Sequence, residues 1–197
     1  MKMRLMIAIP TTGLMQSAFV ESLIKLVSHL HHEGIHHEVR MVSGTLVYIA
    51  RNRLACDAIN GNFSHVLWID SDMVFSETVV EDLTFCGGDI VCGAFVSRRP
   101  PYGLCAYKSL EPVEHVTELG KEPFKIAGCG FGMVLTSVNA LETVQKRFGN
   151  CFTPMPNFGE DLAFCRRASE MKIPIIMDPT VRIGHIAIQP VYPGDSI

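Results

Sequence analysis

Residues 67–75, LWIDSDMVF, join an apolar strand to a pair of acidic residues. The run HVLWID (65–70) is continuously apolar up to Asp70, which is typical of a strand buried on both faces of a sheet. It delivers Asp70 and Asp72 into a loop, where desolvating one carboxylate costs free energy and pairing two costs more. A hard divalent cation that bridges carboxylates to phosphate oxygens would relieve this cost. A solvated turn is the simpler interpretation of an isolated D-x-D.

Strands and helices alternate on either side of this stretch. Short apolar runs predict strands at 4–10, 35–42, 65–70 and 89–96, and helical spacing predicts helices at 14–30, 46–59 and 76–86, the last with Ser76 as N-cap. This alternation implies a parallel sheet with helices on both faces. Because ligands bind at the carboxyl ends of strands in such sheets, the candidate binding segments are 10–13, 43–44 and 70–72.

The second half of the sequence is less regular. It predicts a loop at 98–103, short antiparallel pieces at 104–127, a Gly-rich entry to a strand at 127–137, helices at 138–148 and 160–172 with a loop at 151–159, and final strands at 174–178 and 180–188. No repeat, linker or low-complexity tract interrupts the chain. We therefore expect a single domain over residues 1–197.

Composition fits a compact globular protein. Of the 197 residues, 48% are hydrophobic and 19% charged, and the formal charge of −3, without a long basic run, argues against a dedicated nucleic-acid-binding surface. The seven cysteines show no C-x-x-C spacing, and Cys92 and Cys165 are typical of core positions. Residues 1–13 favour a first strand over a secretory leader, and no apolar run approaches the roughly 18 residues of a membrane span. We expect reduced thiols and a cytoplasmic protein.

His32, Glu33 and His36 form a literal H-E-x-x-H, which on a helix is a zinc-protease signature. That site needs both histidines on one helical face. Here Gly34 is a natural residue to end a helix, and alternation with period two begins at Ile35. We interpret the motif as a polar helix end followed by an edge strand, with adventitious surface metal binding as the alternative.

Further candidate residues lie near the other end of the chain. Glu160 and Asp161 occupy the first turn of the predicted helix 160–172, where acidic residues are also favourable to the helix dipole. His185 lies in the last predicted strand, where a histidine is usually a satisfied core residue. Together with the D-x-D, these residues are the candidate functional residues of the chain.

Five pieces of sequence, in order, resemble the GT-A glycosyltransferases, particularly the inverting family-2-like group. They are IAIPTTG (7–13), ARNRLACDAI (50–59), LWIDSDMVF (67–75), AGCGFGMVLTS (127–137) and FGEDLAFCRRASEMKIPIIMDPTVRIGHI (158–186). The resemblance covers about 4–188. It implies an α/β fold, a single GT-A domain with a mostly parallel Rossmann-like sheet flanked by helices and a smaller antiparallel acceptor-side part. Residues 1 to about 100 would bind the nucleotide sugar, and about 101–197 would form the acceptor and catalytic half.

The resemblance also implies roles for individual residues. Asp70, Asp72 and His185 would hold Mn²⁺ or Mg²⁺, with Asp72 as the direct ligand and Asp70 touching the ribose or the metal through water. The metal would neutralise the diphosphate of the donor, for which a UDP-sugar is favoured. Asp161 would be the general base that deprotonates the acceptor hydroxyl, with Glu160 supporting it or binding acceptor.

The donor-binding residues that the resemblance implies are Pro10, Thr11, Thr12, Arg51, Asp70, Ser71 and Gly130. Arg51 would reach the base or the phosphates, although a solvated helix face is the other interpretation of this residue and Arg53. Arg98 and Arg99 would contact diphosphate or lie in an exposed loop. Gly128 and Gly130 would leave room for the donor sugar or the acceptor.

The resemblance implies a hexosyltransferase-type enzyme that inverts the anomeric centre. No Q-x-x-R-W motif is present, so transfer of one sugar is expected. The acceptor stays open among a glycan, lipid, protein, small molecule or modified base in a nucleic acid. Two other functions stay open as well. One is a non-catalytic nucleotide-sugar-binding protein of the same fold. The other is a haloacid-dehalogenase-type phosphatase with Asp70 as nucleophile and Asp72 as acid/base, although that motif normally ends the first strand.

Overall fold

The structure is a computed structural model that describes residues 3–187. Residues 1–2 and 188–197 lie outside it, and with them both ends of the predicted 1–197 domain and the last residue of the predicted strand 180–188. The described residues form five helices: α1 Ser17–His32, α2 Val47–Asn60, α3 Val79–Phe85, α4 Val138–Phe148 and α5 Glu160–Glu170. Twelve strands accompany them: β1 Arg4–Pro10, β2 His36–Val42, β3 His65–Ile69, β4 Met73–Val74, β5 Ile90–Ala94, β6 Ala106–Leu110, β7 Val113–His115, β8 Phe124–Ile126, β9 Gly128–Cys129, β10 Met133–Ser137, β11 Ile175–Arg182 and β12 Gly184–His185.

Seven strands build one central sheet in the order β2-β1-β3-β10-β5-β11-β8. The pairs β1–β2, β1–β3 and β5–β11 are parallel, while β10 is antiparallel to both of its neighbours and β8 to β11. The predicted α/β fold with a mostly parallel sheet is therefore confirmed. In the predicted alternation, β5 follows β3 as the next strand. The sequence did not predict that β10 lies between them in the sheet.

Helices cover both faces of this sheet, as the alternation predicts. On β1, Leu5, Ile7 and Ile9 join the apolar cluster under α1 and α3, whereas Met6 and Ala8 join the cluster under α2, α4 and α5. All five side chains are fully buried. Since successive strand residues point to opposite faces, a continuous apolar run is what a sheet covered on both sides requires.

Aromatic rings pack tightly beneath the end of β3. Trp68 lies 4.9 Å from Phe152 and 6.0 Å from Phe131 between ring centroids, and Phe152 stacks on Phe164 at 4.9 Å. The indole N–H of Trp68 donates to the Thr136 hydroxyl oxygen at 3.0 Å. These rings form one packed aromatic cluster, and Trp68 within it precedes Asp70 by two residues.

Two smaller sheets complete the fold. Strands β7, β6 and β9 are antiparallel, which confirms the predicted antiparallel pieces in 104–127. Strand β12 pairs with β4 directly after the D-x-D, so that His185 lies opposite Met73. The predicted strand 180–188 is thus divided, with Arg182 ending β11 and Gly184 beginning the separate β12.

The helices begin and end within three residues of their predicted bounds, and one predicted cap is wrong. Helix α3 begins at Val79 behind Thr78, and no side chain caps it, so the predicted Ser76 N-cap is wrong; the Ser76 hydroxyl oxygen instead accepts the Thr78 N–H at 3.3 Å. His32 ends α1 and His36 begins β2. Between them Gly34 has φ +64°, in the left-handed turn that glycine favours, which rules out a shared helical face.

Cys92 and Cys165 are buried, as predicted, and all seven cysteines are unpaired. None of the helices within residues 3–187 combines the length and apolar character needed to cross a bilayer.

We expect Thr136→Val to lower the free energy of unfolding by about 1–3 kcal/mol, because the substitution leaves the buried Trp68 N–H without an acceptor. Urea denaturation followed by tryptophan fluorescence measures this. Thr117→Val, at an exposed position, is the matched control and should change stability by less than about 0.5 kcal/mol. Equal effects of the two substitutions would contradict the assigned hydrogen bond.

Candidate functional site

A cavity of about 560 Å³ opens at the carboxyl ends of β1 and β3, beside the start of α2. Its size suits a small organic ligand such as a nucleotide. The lining residues are Pro10, Thr11, Thr12, Leu14, Gln16, Thr45, Val47, Ala50, Asp70, Ser71, Asp72, Arg98, Arg99 and Ile186. Its position agrees with the expected crevice at the strand ends, and the lining mixes hydroxyls, carboxylates and guanidinium groups.

The D-x-D forms a tight turn that three backbone hydrogen bonds hold in place. The Asp70 N–H donates to the Gly132 carbonyl at 3.1 Å, and the Met73 N–H donates back to the Asp70 carbonyl at 3.2 Å. The Asp72 carbonyl accepts the Ile186 N–H at 2.9 Å, which extends the β4–β12 pairing. The turn is therefore held both by the central sheet and by the strand that carries His185.

Asp72 and His185 face each other across this pairing. The His185 Nε2 lies 3.3 Å from Asp72 Oδ2, and its other ring nitrogen, Nδ1, lies 2.8 Å from the carbonyl oxygen of Val96. Because a carbonyl only accepts, the Nδ1–H donates to Val96, and Nε2 is the ring nitrogen that faces the carboxylate. A proton or a bound cation between Nε2 and Asp72 Oδ2 would stabilise this contact.

Arg98 is a second partner of Asp72. Its Nη1 donates to Asp72 Oδ2 at 2.7 Å, the same oxygen that His185 approaches. The side chain of Arg98 is 55% exposed, compared with 25% for Asp72 and 13% for His185. Arg98 and Arg99 are exposed in a loop, as one interpretation of the sequence predicts, and both also line the cavity.

Arg51 is buried, and its guanidinium joins the other carboxylates. Nη2 donates to Asp70 Oδ1 at 2.7 Å, and Nη1 donates to Glu160 Oε1 at 2.5 Å. The guanidinium also lies 5.5 Å from the centroid of the Phe131 ring. The solvated helix face considered for this residue is wrong, because only 2% of Arg51 is exposed; exposed Arg53, two positions along α2, does fit it.

Asp161 follows Glu160 in the first turn of α5, as the sequence predicts. Its Oδ1 accepts the Leu162 N–H at 2.7 Å. Burial raises the pKa of Asp161 above the ordinary carboxyl value, and the Glu160 charge raises it further, while the Leu162 N–H and Arg51 act in the opposite direction. Burial likewise raises the pKa of Asp70, against the opposing effect of Arg51. Asp161 is thus a carboxylate whose proton affinity is increased by its surroundings.

The predicted site residues separate into two neighbouring groups. Pro10, Thr11, Thr12, Asp70, Ser71 and Asp72 line the cavity. Arg51, Glu160 and Asp161 are not part of its lining but interact with Asp70 or with one another. Gly130 stands apart from the cavity lining: a Cβ there would lie 3.1 Å from the Phe95 ring and 3.4 Å from Cys105 Cβ. At that position the missing side chain makes room for protein atoms.

The predicted metal ligands are only partly assembled. Asp72 and His185 are adjacent, but Asp70 is engaged by Arg51. Within residues 3–187, no group of three or more histidine, cysteine, aspartate or glutamate side chains is placed to hold a metal ion. The protein offers one carboxylate and one imidazole beside an open cavity. Any metal there would need water or ligand oxygens to complete its coordination.

Sequence reasoning missed several parts of the site. The Val96 carbonyl orients His185, and a backbone group leaves no signal in a residue pattern. Leu14, Gln16 and Thr45 also line the cavity. They lie in loops just beyond the predicted binding segments 10–13 and 43–44. The pairing of Arg51 with Asp70 joins residues 19 positions apart, and its pairing with Glu160 joins residues 109 positions apart.

We expect Arg51→Met to lower the free energy of unfolding by about 3 kcal/mol or more, because it leaves Asp70 and Glu160 without their common cation. Chemical denaturation at pH 7 measures the loss. Arg53→Met removes the same charge from an exposed position of the same helix and should cost less than about 0.5 kcal/mol. A loss of similar size in the two variants would show that the ion pairs do not support the fold.

No protein-family model matches this sequence, and no curated protein matches it. Among solved structures, the crystal structure of A197 from STIV is similar to this chain, with a TM-score of 0.62 and 18% sequence identity. The match covers 98% of this chain and 99% of that chain. At this identity the similarity establishes the shared α/β fold alone.

Proposed function

We propose that this protein is a metal-dependent glycosyltransferase of the GT-A type, which moves one sugar from a nucleotide-diphosphate sugar to an acceptor hydroxyl with inversion. The observation that carries the proposal is the facing pair of Asp72 and His185 at the rim of a nucleotide-sized cavity. Asp161, whose pKa is raised, interacts electrostatically with Asp70 of the same D-x-D. Each part has a role in this chemistry.

The cavity supplies what a nucleotide diphosphate requires. Thr11, Thr12 and Ser71 offer hydroxyl groups to the ribose and base, and Arg98 and Arg99 offer guanidinium groups that suit phosphate oxygens. A carboxylate-rich rim alone would repel a diphosphate. The arginines and a bound cation together would turn this rim into an anion site.

The Asp72–His185 pair fits a divalent cation. Nε2 of His185 is held toward Asp72 Oδ2 by the bond from Nδ1 to the Val96 carbonyl, an arrangement typical of metal-bound histidines. One carboxylate and one imidazole suit Mn²⁺ or Mg²⁺ whose other positions are filled by phosphate and water oxygens. When bound, such a metal neutralises the charge that develops on the leaving diphosphate.

Asp161 is the proposed general base. It must accept a proton from the acceptor hydroxyl as that oxygen attacks the anomeric carbon, and its raised pKa brings its basicity closer to that task. Glu160 is held by Arg51 and is therefore the positioning carboxylate. A phosphatase reaction would instead need Asp70 as nucleophile, but Asp70 Oδ1 is engaged by Arg51.

The first test is calorimetry with UDP, GDP and their sugars, each with and without Mn²⁺. We expect one nucleotide to bind much more tightly with metal, and Asp72→Ala to abolish this metal-dependent binding, because the variant lacks the carboxylate beside His185. Asp82→Ala, at an exposed position on α3, is the control and should bind as the wild type does. If no nucleotide binds with Mn²⁺ present, the proposed function is wrong. Binding without measurable transfer or hydrolysis would favour the non-catalytic binding protein.

We expect Asp161→Asn to bind the donor normally but to slow release of the nucleoside diphosphate by about 100- to 10,000-fold, because the amide accepts no proton. The assay follows release with water as the acceptor, so it needs no identified acceptor. In the wild type, the rate should fall as the pH is lowered through the pKa of Asp161, and the fall should begin above the range of an ordinary carboxyl group. Full activity of Asp161→Asn would refute the assigned base.

Stability provides the control for this variant. Since the folded protein raises the pKa of Asp161, ionised Asp161 destabilises the fold at a pH above its folded pKa and has no such effect below its unfolded value. Asparagine removes the charge. We therefore expect Asp161→Asn to be at least as stable as the wild type at neutral pH, with the difference vanishing in acid.

A further inference from the structure

We propose that Arg98 occupies the cation position on Asp72 in the ligand-free protein, and that a divalent metal gains this position when a diphosphate draws Arg98 away. The inference rests on the proposed function and concerns the regulation of the same site. Its starting point is that one atom, Asp72 Oδ2, is shared: Arg98 Nη1 lies 2.7 Å from it and His185 Nε2 lies 3.3 Å from it.

The guanidinium and a metal ion compete for this oxygen. A divalent cation binds a carboxylate oxygen at about 2.0–2.5 Å, which is shorter than the Arg98–Asp72 contact. With both present on Oδ2, two positive groups would face each other within a few ångströms, where Coulomb repulsion is strong. Repulsion from Arg98 therefore opposes metal binding at Oδ2 beside His185, and departure of Arg98 removes this repulsion.

Arg98 is also the partner that can leave. Its side chain is 55% exposed, whereas His185 is 13% exposed and is anchored through Nδ1 to the Val96 carbonyl. The base of the loop that carries Arg98 is closed by the Val96–Leu104 bridge and by the Ser97 N–H, which donates to the Gly103 carbonyl at 2.9 Å. The side chain can therefore change partner while the loop keeps its hold on His185.

The cavity supplies the new partner. Arg98 lines the same space as Thr11, Thr12 and Arg99, so a diphosphate bound there comes within reach of its guanidinium. Guanidinium groups pair with phosphate in a two-pronged geometry that a single carboxylate oxygen does not provide. Transfer of Arg98 from Asp72 to phosphate frees Oδ2, so metal and nucleotide reinforce each other's binding. Such coupling is reciprocal, and the empty site discriminates against free metal.

The test is calorimetric titration with Mn²⁺ alone on the wild type, Arg98→Gln and Arg99→Gln. We expect Arg98→Gln to bind Mn²⁺ about three- to tenfold more tightly than the wild type, because the competing ion pair is gone. Arg99→Gln removes an equal charge from the same cavity wall but keeps the Arg98–Asp72 contact. Its gain in Mn²⁺ affinity should therefore be smaller, because it reports only the long-range effect of charge. Circular dichroism verifies that all variants are folded.

A second titration measures the coupling. We expect UDP to bind the wild type more tightly when Mn²⁺ is present, and this enhancement to shrink in Arg98→Gln, in which Oδ2 is already free. Asp72→Ala should bind no Mn²⁺ in any titration.

The outcomes separate this inference from the proposed function. If Asp72→Ala abolishes Mn²⁺ binding but Arg98→Gln gains no more than Arg99→Gln, the competition is refuted and the metal site stands. If Asp72→Ala binds Mn²⁺ as the wild type does, the metal site itself is wrong. Absence of Mn²⁺ binding to Arg98→Gln without nucleotide also overturns the proposed competition.

Discussion

The buried guanidinium of Arg51 is the interaction on which the arrangement of the site depends. It joins three elements that are distant in sequence: α2, which carries it, the end of β3 at Asp70, and the start of α5 at Glu160. Without this cation, the carboxylates of Asp70 and Glu160 would lie close together and near that of Asp161. Burial would then favour their protonation or separation. The ion pairs let the chain gather acidic groups at the end of a buried strand while keeping the backbone in one conformation.

Two arginines divide the acidic residues into different environments. Arg51 lies in the interior and holds Asp70 and Glu160, while Arg98 lies at the surface and holds Asp72. Asp161 forms no ion pair with an arginine, lysine or histidine within residues 3–187, and burial raises its pKa. Neighbouring carboxylates with unequal environments are how proteins assign fixed and proton-transferring roles to the same chemical group. This division supports the proposed roles of positioning carboxylate, metal ligand and base.

The parts of the fold that sequence could predict are those set by local patterns. The apolar runs of β1 and β3, the helical spacing of α2 and α4, and the position of D-x-D at a strand end are all local, and the structure has them. The insertion of β10 between β3 and β5 depends on pairing between distant segments, which periodicity cannot indicate. Arg51 looks like a surface residue because ARNR resembles an exposed helical turn, and only the fold turns it inward. Ser76 resembles an N-cap in sequence, yet the chain makes another turn before α3 begins.

The pairing of β4 with β12 has a consequence for synthesis of the protein. Asp72 and His185 are separated by 113 positions, and the strand that brings them together follows every other described element in the chain. A nascent chain on the ribosome can pair β1, β2 and β3 and expose its D-x-D well before β12 has emerged. Such an incomplete chain has the acidic turn without its histidine and without the Ile186 N–H that holds the turn in place. The Asp72–His185 pair therefore cannot form until β12 has been synthesised, after every other described element.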